Sequence, residues 1–194
     1  TLDAERKMLS VIKRLKEAVP IPIKATFLGC HAVPAEFEDA AAYTKHVVEE
    51  MLPTFARDGL IDYVDAFCEK GYFGVDETRA LLIASNALGI KGKVHVNQFN
   101  EIGGINLCIN QKALSVDHLE VCGAEVIQRL VEDYKGIEKG KGHPTYPVAL
   151  PGCSHFLGIP FAPGRALIDA GLPLALATDH NPGSAPSGDM TMVV

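Results

Sequence analysis

The sequence predicts an α/β fold made of parallel βα units, a (β/α)8 barrel of which about six of the eight units are present. Two observations support this prediction. Six strand-like apolar segments alternate with helical segments along the chain, as in parallel βα units. Several of the strand segments are apolar at nearly every position, which is typical of strands covered on both faces.

The elements follow one another in a regular order. Thr1 is a suitable N-cap, and apolar residues then recur at helical spacing until the helix ends near Ala18, before two prolines. Asp76 is predicted as the N-cap of a later helix, and the polar stretch 133–145 as a surface loop. The other predicted segments are strand 23–33, helix 35–57, strand 63–69, helix 76–88, strand 93–97, helix or irregular segment 100–111, strand 114–119, helix 123–133, strand 146–151, helix 163–170 and strand 172–178.

An open doubly wound sheet is the alternative to a barrel. Neither a GxGxxG motif nor a P-loop follows the first strand, which disfavours a nucleotide-binding sheet of that kind. A full barrel takes about 250 residues, whereas this chain has 194 and opens at Thr1 rather than at a methionine. We therefore expect a partial barrel over residues 1–194, cut from a longer protein, and unstable or self-associating when isolated.

Composition excludes several classes of protein. The chain is 47% hydrophobic and 22% charged, unlike a disordered tail, a collagen-like rod or a coiled coil. The net charge is −6 with no basic patch, which argues against a nucleic-acid partner, and no apolar run approaches the length of a membrane helix. The five cysteines are widely spaced with no CxxC pair, which predicts buried free thiols in a cytoplasmic protein.

Charged or titratable residues stand at the C-terminal ends of five predicted strands. In a barrel these ends meet at one mouth, where the active site lies. A single such histidine is more often a core residue than a ligand, but five groups together favour a site. These groups are His31, Glu69, His95, the pair Asp117-His118, and Asp179.

Imidazole and carboxylate together suit zinc, iron or manganese. A catalytic metal would lower the pKa of bound water, and a nearby histidine or carboxylate would move the proton, which makes a workable hydrolase site. His95 and Asp179 are the candidate ligands, but a catalytic zinc usually keeps three protein ligands, so others must come from elsewhere.

The segment after Asp179 is a candidate ligand-binding loop. Gly183 permits a tight turn, and the loop could present backbone N–H groups, the Asn181 amide and the Ser184 hydroxyl to the mouth. Such a loop suits a small polar or carboxylate-bearing ligand. A plain β-turn is the alternative interpretation.

These segments together resemble a known family, the imidazolonepropionases of the amidohydrolase superfamily. The matching stretches, in order, are TFLGCHAVP, VDAFCE, KVHVNQF, SVDHL, a late LPG and ATDHNPGSAP. The resemblance implies a metal-dependent barrel with one divalent metal, zinc or iron. It implies hydrolytic opening of 4-imidazolone-5-propanoate to N-formimidoyl-L-glutamate in histidine degradation, a homodimer, and a small β-domain that is absent from this chain.

The resemblance also implies roles for particular residues. His95 and Asp179 match metal ligands, and Asp179 also matches a base toward the attacking water. His118 matches a catalytic histidine beside the substrate, and His31 a substrate-binding histidine. The loop residues that match the substrate-holding segment are Asn181, Gly183 and Ser184.

The chain departs from the family pattern in two places. Gln98 stands where the family usually has a glutamate with an acid/base or substrate-contact role; glutamine can hydrogen-bond the ring but cannot take a proton. Gln98 therefore remains a candidate for binding or catalysis, with proton transfer left to Asp179 and His118. The HxH metal pair and the substrate-binding Arg and Tyr of the family have no counterpart here.

The remaining candidates are weaker, and two rival functions stay open. His46 and His143 are predicted to be structural or solvated, while Glu69 could orient a histidine ligand. His155 and His180 are less favoured mouth residues. Cys30 and Cys68 are predicted to pack rather than act as nucleophiles.

The rival functions are another amidohydrolase, such as a deaminase of a heterocycle, and a non-catalytic barrel.

Overall fold

Six parallel strands form one sheet in which each strand pairs with its neighbours in sequence, in the order β1-β2-β3-β4-β5-β6. A computed structural model describes residues 1–137 and 142–194 of the chain. The strands are β1 (Thr26–Cys30), β2 (Tyr63–Cys68), β3 (Lys91–Val96), β4 (Ser115–His118), β5 (Tyr146–Ala149) and β6 (Ala175–Leu176). This sequential parallel order, with helices in the connections, confirms the predicted α/β class and is that of a partial barrel.

Helices occupy every connection between the strands, and one further helix precedes β1. They are α1 (Leu2–Ala18), α2 (Ala40–His46), α3 (Leu52–Arg57), α4 (Val75–Ala87), α5 (Gly104–Asn110), α6 (Ala124–Gly136), α7 (Pro151–Leu157) and α8 (Gly164–Asp169). The N-cap prediction for α1 is confirmed, because the Thr1 hydroxyl accepts the Ala4 N–H at 3.4 Å. No helix in the described part of the chain is both long and apolar enough to cross a bilayer.

The predicted helix 35–57 is interrupted. It begins at Ala40, where the Asp39 carboxylate caps it by accepting the Ala42 N–H at 2.8 Å. A π-helical turn, Val47–Met51, then separates α2 from α3. Pro53 explains this irregularity, since its ring lacks an N–H and crowds the carbonyl one turn earlier in a regular α-helix.

One predicted helix start is wrong, and one helix was not predicted. The N-cap of α4 is Gly74 rather than Asp76, and the Glu77 carboxylate accepts the Gly74 N–H at 3.0 Å. Helix α7 was not predicted at all, because it has only seven residues and follows β5 directly. Its signals were Pro151 in the first turn and Gly158 in left-handed backbone after the last turn.

The polar stretch 133–145 is only partly a loop. Helix α6 extends to Gly136, and residues 138–141 lie outside the described residues. Asp133 is buried and accepts the Thr145 N–H at 2.7 Å, which fastens the end of this stretch to α6.

The main core lies between the sheet and its helices. It is formed by alternate strand residues such as Val64, Val94 and Val116 and by the buried faces of the helices. Gly92 on β3 has no room for a side chain because Leu82 of α4 packs directly against it. The other face of the same strands carries polar and aromatic side chains, and it leads to the site described next.

Candidate functional site

A cavity of about 390 Å³ lies at the C-terminal ends of the strands. The eight residues to which the motifs assign a role all line it, whereas the strand-end residues Glu69 and Asp117 do not. The eight are His31, His95, Gln98, His118, Asp179, Asn181, Gly183 and Ser184. Apolar and aromatic side chains complete the wall, namely Leu28, Phe67, Phe99 and Leu157. A polar cluster inside a partly apolar cavity of this size is typical of a small-molecule site.

Several residues at this rim have left-handed backbone, which changes the direction of their side chains. Asn97, His118, Leu119 and Asp179 have φ angles of 54°, 89°, 72° and 53°. Strand alternation alone would place His118 on the same face as Val116, which is in the core. The departure at His118 brings its ring to the cavity instead. Non-glycine residues in this region are uncommon and cluster at functional sites.

His95 is held by a buried carboxylate. Its Nδ1 lies 2.9 Å from Oδ2 and 3.0 Å from Oδ1 of Asp65, and its backbone N–H contacts Oδ1 at 3.3 Å. Burial lowers the pKa of His95, but the Asp65 carboxylate outweighs it and raises that pKa from 6.5 to about 9. The contact fixes the ring by its Nδ1 side, so Nε2 is the nitrogen that could bind a ligand once it has lost its hydrogen.

Asp65 was not predicted as a site residue, because it lies inside a strand rather than at its end. Asp65 lies within β2, two residues before Phe67, and Phe67 is in register with His95 of β3. Burial raises the pKa of Asp65 above its usual 3.8. The available signal was a single acidic residue inside an otherwise apolar strand, in the segment VDAFC.

His118 also faces a carboxylate that the sequence reasoning missed. Its Nδ1 lies 3.4 Å from Oε1 of Glu120, and the Ser154 hydroxyl of α7 donates to the same oxygen at 2.8 Å. Both His118 and Glu120 are buried. The ring centroid of His118 lies 5.1 Å from that of His95, so the two imidazoles are neighbours.

His31 stacks on Phe67, with ring centroids 5.6 Å apart and planes 19° from parallel. Burial and the positive charge of His95 lower the pKa of His31. The same Phe67 presents its ring to His95 at 6.2 Å in an edge-on arrangement. Phe67 therefore sits between two of the predicted site histidines, and it too was missed.

Gln98 is buried and held in place. Its Nε2 contacts the Cys153 sulfur at 3.3 Å, while Glu69 Oε2 accepts the N–H groups of Phe99 and Asn100 at 2.9 and 3.2 Å. Glu69 thus fastens the loop that carries Gln98. The structure does not give Glu69 the role of orienting a histidine ligand.

The loop after Asp179 is organised by Asn181. Its Oδ1 accepts the N–H groups of Gly183 and Ser184 at 2.9 and 2.8 Å, and its Nδ2 donates to the Asp179 carbonyl at 2.7 Å. The prediction that this loop offers free backbone N–H groups is wrong at these two positions, because the Asn181 side chain takes both. The turn orders the segment at the rim of the cavity.

The other histidines lie away from the cavity. His46 contacts Glu50 at 3.3 Å on α2, and His143 Nδ1 lies 3.0 Å from the Pro144 carbonyl oxygen. His180 is exposed. His155 lines a separate, apolar cavity of about 400 Å³ between α7 and residues 185–193. The predicted packing role of the cysteines agrees with the structure, in which all five are free and four are buried.

Two of the cavity residues form the predicted metal pair. His95 and Asp179 both line the cavity. Over residues 1–137 and 142–194, no group of three or more histidine, cysteine, aspartate or glutamate side chains is arranged to hold a metal. The described residues therefore offer at most a partial ligand set.

The fold and the rim cavity define a parallel α/β barrel, here in part, with a site at the C-terminal ends of its strands. A guanine deaminase from C. acetobutylicum matches with a TM-score of 0.64 and 12% identity, over 92% of this chain and 44% of that one. An adenine deaminase from Arthrobacter aurescens matches with a TM-score of 0.60 and 15% identity, over 88% of this chain and 48% of that one. At such identities the likeness concerns the fold alone.

The chain is also similar in sequence to curated proteins of one kind. The chain is 53% identical over its whole length to an imidazolonepropionase from Christiangramia forsetii and 40% identical to one from Geobacillus kaustophilus. It spans 45% and 44% of those proteins. The resemblance to imidazolonepropionases predicted from the motifs is thereby confirmed, while no protein-family model matches the chain.

Proposed function

We propose that this chain forms part of the active site of an imidazolonepropionase. The reaction is hydrolysis of the cyclic amide of 4-imidazolone-5-propanoate, which gives N-formimidoyl-L-glutamate. The observation that supports the proposal best is the convergence of all eight motif residues on one cavity of about 390 Å³. A volume of this order suits a small heterocyclic acid.

One divalent metal, zinc or iron, fits the donor set on the cavity wall. His95 and Asp179 would hold it, and the donors, an imidazole nitrogen and a carboxylate oxygen, are acceptable to both metals. Asp65 supports this assignment, because a metal-binding histidine usually has its other nitrogen fixed by a carboxylate or carbonyl. When bound, the metal would supply Lewis-acid activation of the hydrolytic water. Further ligands would come from residues outside the described set.

Proton transfer falls to His118 and Asp179. Both line the cavity, and both side chains can accept a proton at neutral pH. Gln98 lines the same wall, but its amide can only donate or accept hydrogen bonds. In this assignment Gln98 positions the ring, while one of the other two groups takes the proton of the attacking water and returns it to the departing ring nitrogen.

Substrate binding falls to His31 and to the loop around Asn181. His31 is stacked on Phe67 and so presents a fixed edge to the cavity. The Asn181 turn sets the backbone of Gly183 and Ser184 at the rim. The Ser184 hydroxyl, which contacts the Asn181 side chain, can reorient to a ligand because a hydroxyl rotates freely.

The protein expressed from the complete gene provides the test. We expect hydrolysis of 4-imidazolone-5-propanoate, lost on chelation and restored by zinc or iron, with metal content measured on the same samples. Asp76→Asn serves as a control, because Asp76 lies on α4 with a side chain that is 92% exposed, and this variant should behave like the parent. Preferential turnover of guanine would contradict the proposed substrate and indicate a deaminase. No turnover of either compound would favour a non-catalytic barrel.

The assembly and compartment are proposed with the function. We propose a homodimer in the cytoplasm that acts on a small molecule and not on nucleic acid. Five free cysteines suit a reducing compartment, and the net charge of −6 is unfavourable for binding a polyanion. Sedimentation of the complete protein would check the dimer, and a monomer at micromolar concentration would contradict it.

A further inference from the structure

A buried hydroxyl, carboxylate and imidazole form a chain behind the cavity. Ser154 on α7 donates to Glu120 Oε1, and the same oxygen faces Nδ1 of His118. Only His118 of the three lines the cavity. Ser154 and Glu120 therefore act on the cavity through the histidine, and the Ser154 hydroxyl is not placed as a nucleophile.

Glu120 is short of hydrogen-bond donors. It is 8% exposed, and its second oxygen, Oε2, is buried with no hydrogen-bond partner among the described residues. A buried carboxylate is costly unless donors surround it. Ser154 supplies one donor to Oε1, and among the described residues the other group facing that oxygen is Nδ1 of His118, which donates only if it carries a hydrogen.

The tautomer of His118 follows from this shortage. A neutral imidazole carries its hydrogen on one nitrogen and a lone pair on the other. A lone pair on Nδ1 would face the carboxylate oxygen at 3.4 Å and repel it. A hydrogen on Nδ1 satisfies that oxygen and leaves the lone pair on Nε2.

We propose that Glu120, held by Ser154, is a positioning residue that fixes His118 with its hydrogen on Nδ1 and its lone pair on Nε2. The role of this lone pair as the proton acceptor rests on the proposed function. The left-handed backbone of His118, with φ at 89°, supports the proposal because it turns the ring away from the core and toward both the cavity and Glu120. No role at Glu120 was evident from the sequence.

The test combines a spectroscopic and a kinetic measurement on the protein from the complete gene. Histidine is labelled with ¹⁵N, the His118 signals are assigned by their loss in His118→Gln, and the protonated nitrogen is read from ¹⁵N–¹H correlations. We expect hydrogen on Nδ1 in the parent. In Glu120→Gln we expect a mixture of tautomers, and kcat lowered about 100-fold with little change in KM.

Matched variants separate positioning from loss of stability. Asp133→Asn removes another buried carboxylate, at 7% exposure, far from the cavity, so it should lower stability without altering His118. Glu120→Asp should restore part of kcat and of the tautomer preference, and Ser154→Ala should weaken both slightly. If Glu120→Gln does not fold, the His118 tautomer in the parent and the tautomer and kcat of Ser154→Ala still test the proposal.

Two results would overturn the proposal. One is hydrogen on Nε2 in the parent, which would mean that Glu120 is protonated and donates to the ring. The other is an unchanged tautomer in Glu120→Gln together with unchanged kcat. Because the spectrum needs no substrate, failure of the proposed reaction would leave this readout intact, and the two failures can be told apart.

Discussion

The two faces of the sheet follow different rules. On the helix-facing side, alternate strand residues are aliphatic and fully buried, as at Val64, Val94 and Val116. On the cavity side, the registered residues are aromatic or titratable: Phe67 pairs with His95, and His95 with Asp117. The first face is made of regular strands, while the second depends on backbone that leaves the strand conformation at the rim.

This contrast shows where stability and chemistry are separated in the molecule. Substitutions on the helix-facing side should change the free energy of unfolding and leave the chemistry of folded molecules intact. Substitutions at the rim should change the chemistry and leave the free energy of unfolding nearly unchanged, because these side chains bury little apolar surface. The following predictions test whether the separation holds.

The largest effect is expected at the rim. Asp179→Asn removes the charge of a proposed metal ligand and base, so kcat for imidazolone hydrolysis should fall about 1000-fold, roughly 4 kcal/mol. Thermal unfolding of the metal-free protein should be unchanged. The same substitution at an exposed aspartate of α4, Asp76→Asn, is the control. Near-normal kcat in Asp179→Asn would remove this residue from the site.

The next effect is expected in the core. Phe55 is fully buried and packs edge-on against Phe27 at a centroid distance of 5.0 Å. Phe55→Ala should lower the free energy of unfolding by about 3 kcal/mol, because it removes buried apolar surface and leaves a cavity. Urea unfolding measures this change, and kcat per folded molecule should stay constant.

Ile83→Ala on α4 is the matched control, since Ile83 is 53% exposed and its loss should cost little. A large fall in kcat for Phe55→Ala in fully folded samples would show that the two faces are coupled.

The same contrast explains what the sequence could predict. Apolar runs and helical spacing predicted the strands and most helices, because burial on both faces leaves a clear pattern. The strand ends, the loop after Asp179 and the family resemblance together predicted the eight polar-loop and titratable residues of the cavity, but not its aromatic wall, which includes Phe67. The predictions missed Asp65 and Glu120, whose roles depend on strand register and on a left-handed turn at His118. Neither register nor backbone reversal leaves a periodic signal.

Some predicted helix boundaries are wrong for local reasons. The π turn precedes Pro53, and the short helix α7 begins at Pro151; a window of average propensity does not resolve features of this length. The prediction for the loop after Asp179 is wrong because the Asn181 side chain accepts the N–H groups of Gly183 and Ser184, which were expected to face a ligand.

The smallest effect concerns alkaline stability of the helix-facing side. Burial raises the pKa of the Cys30 thiol to about 12, against 9.0 when exposed. The unfolded chain therefore loses this proton first, so stability present below pH 9 is lost as the pH rises toward 12. The slope is at most about 1.4 kcal/mol per pH unit for one thiol.

Urea unfolding of the parent and of Cys30→Ala between pH 8 and pH 10.5 measures this contribution. The variant should be less stable throughout but should lose stability less steeply with pH. Cys122→Ala is the comparison, because Cys122 is only half-buried and its pKa is raised to about 11. Parallel curves for the parent and Cys30→Ala would contradict the assignment.

The contact of Glu69 with the loop after β3 has a consequence for hydrogen exchange. Phe99 has a side chain that is 44% exposed, and its backbone belongs to no helix or strand. Its amide hydrogen, like that of Asn100, is nevertheless bound to a carboxylate oxygen of a residue that is 1% exposed. These two amides should exchange with deuterium as slowly as those of the neighbouring strands, marking a stretch of loop that opens only when the end of β2 does.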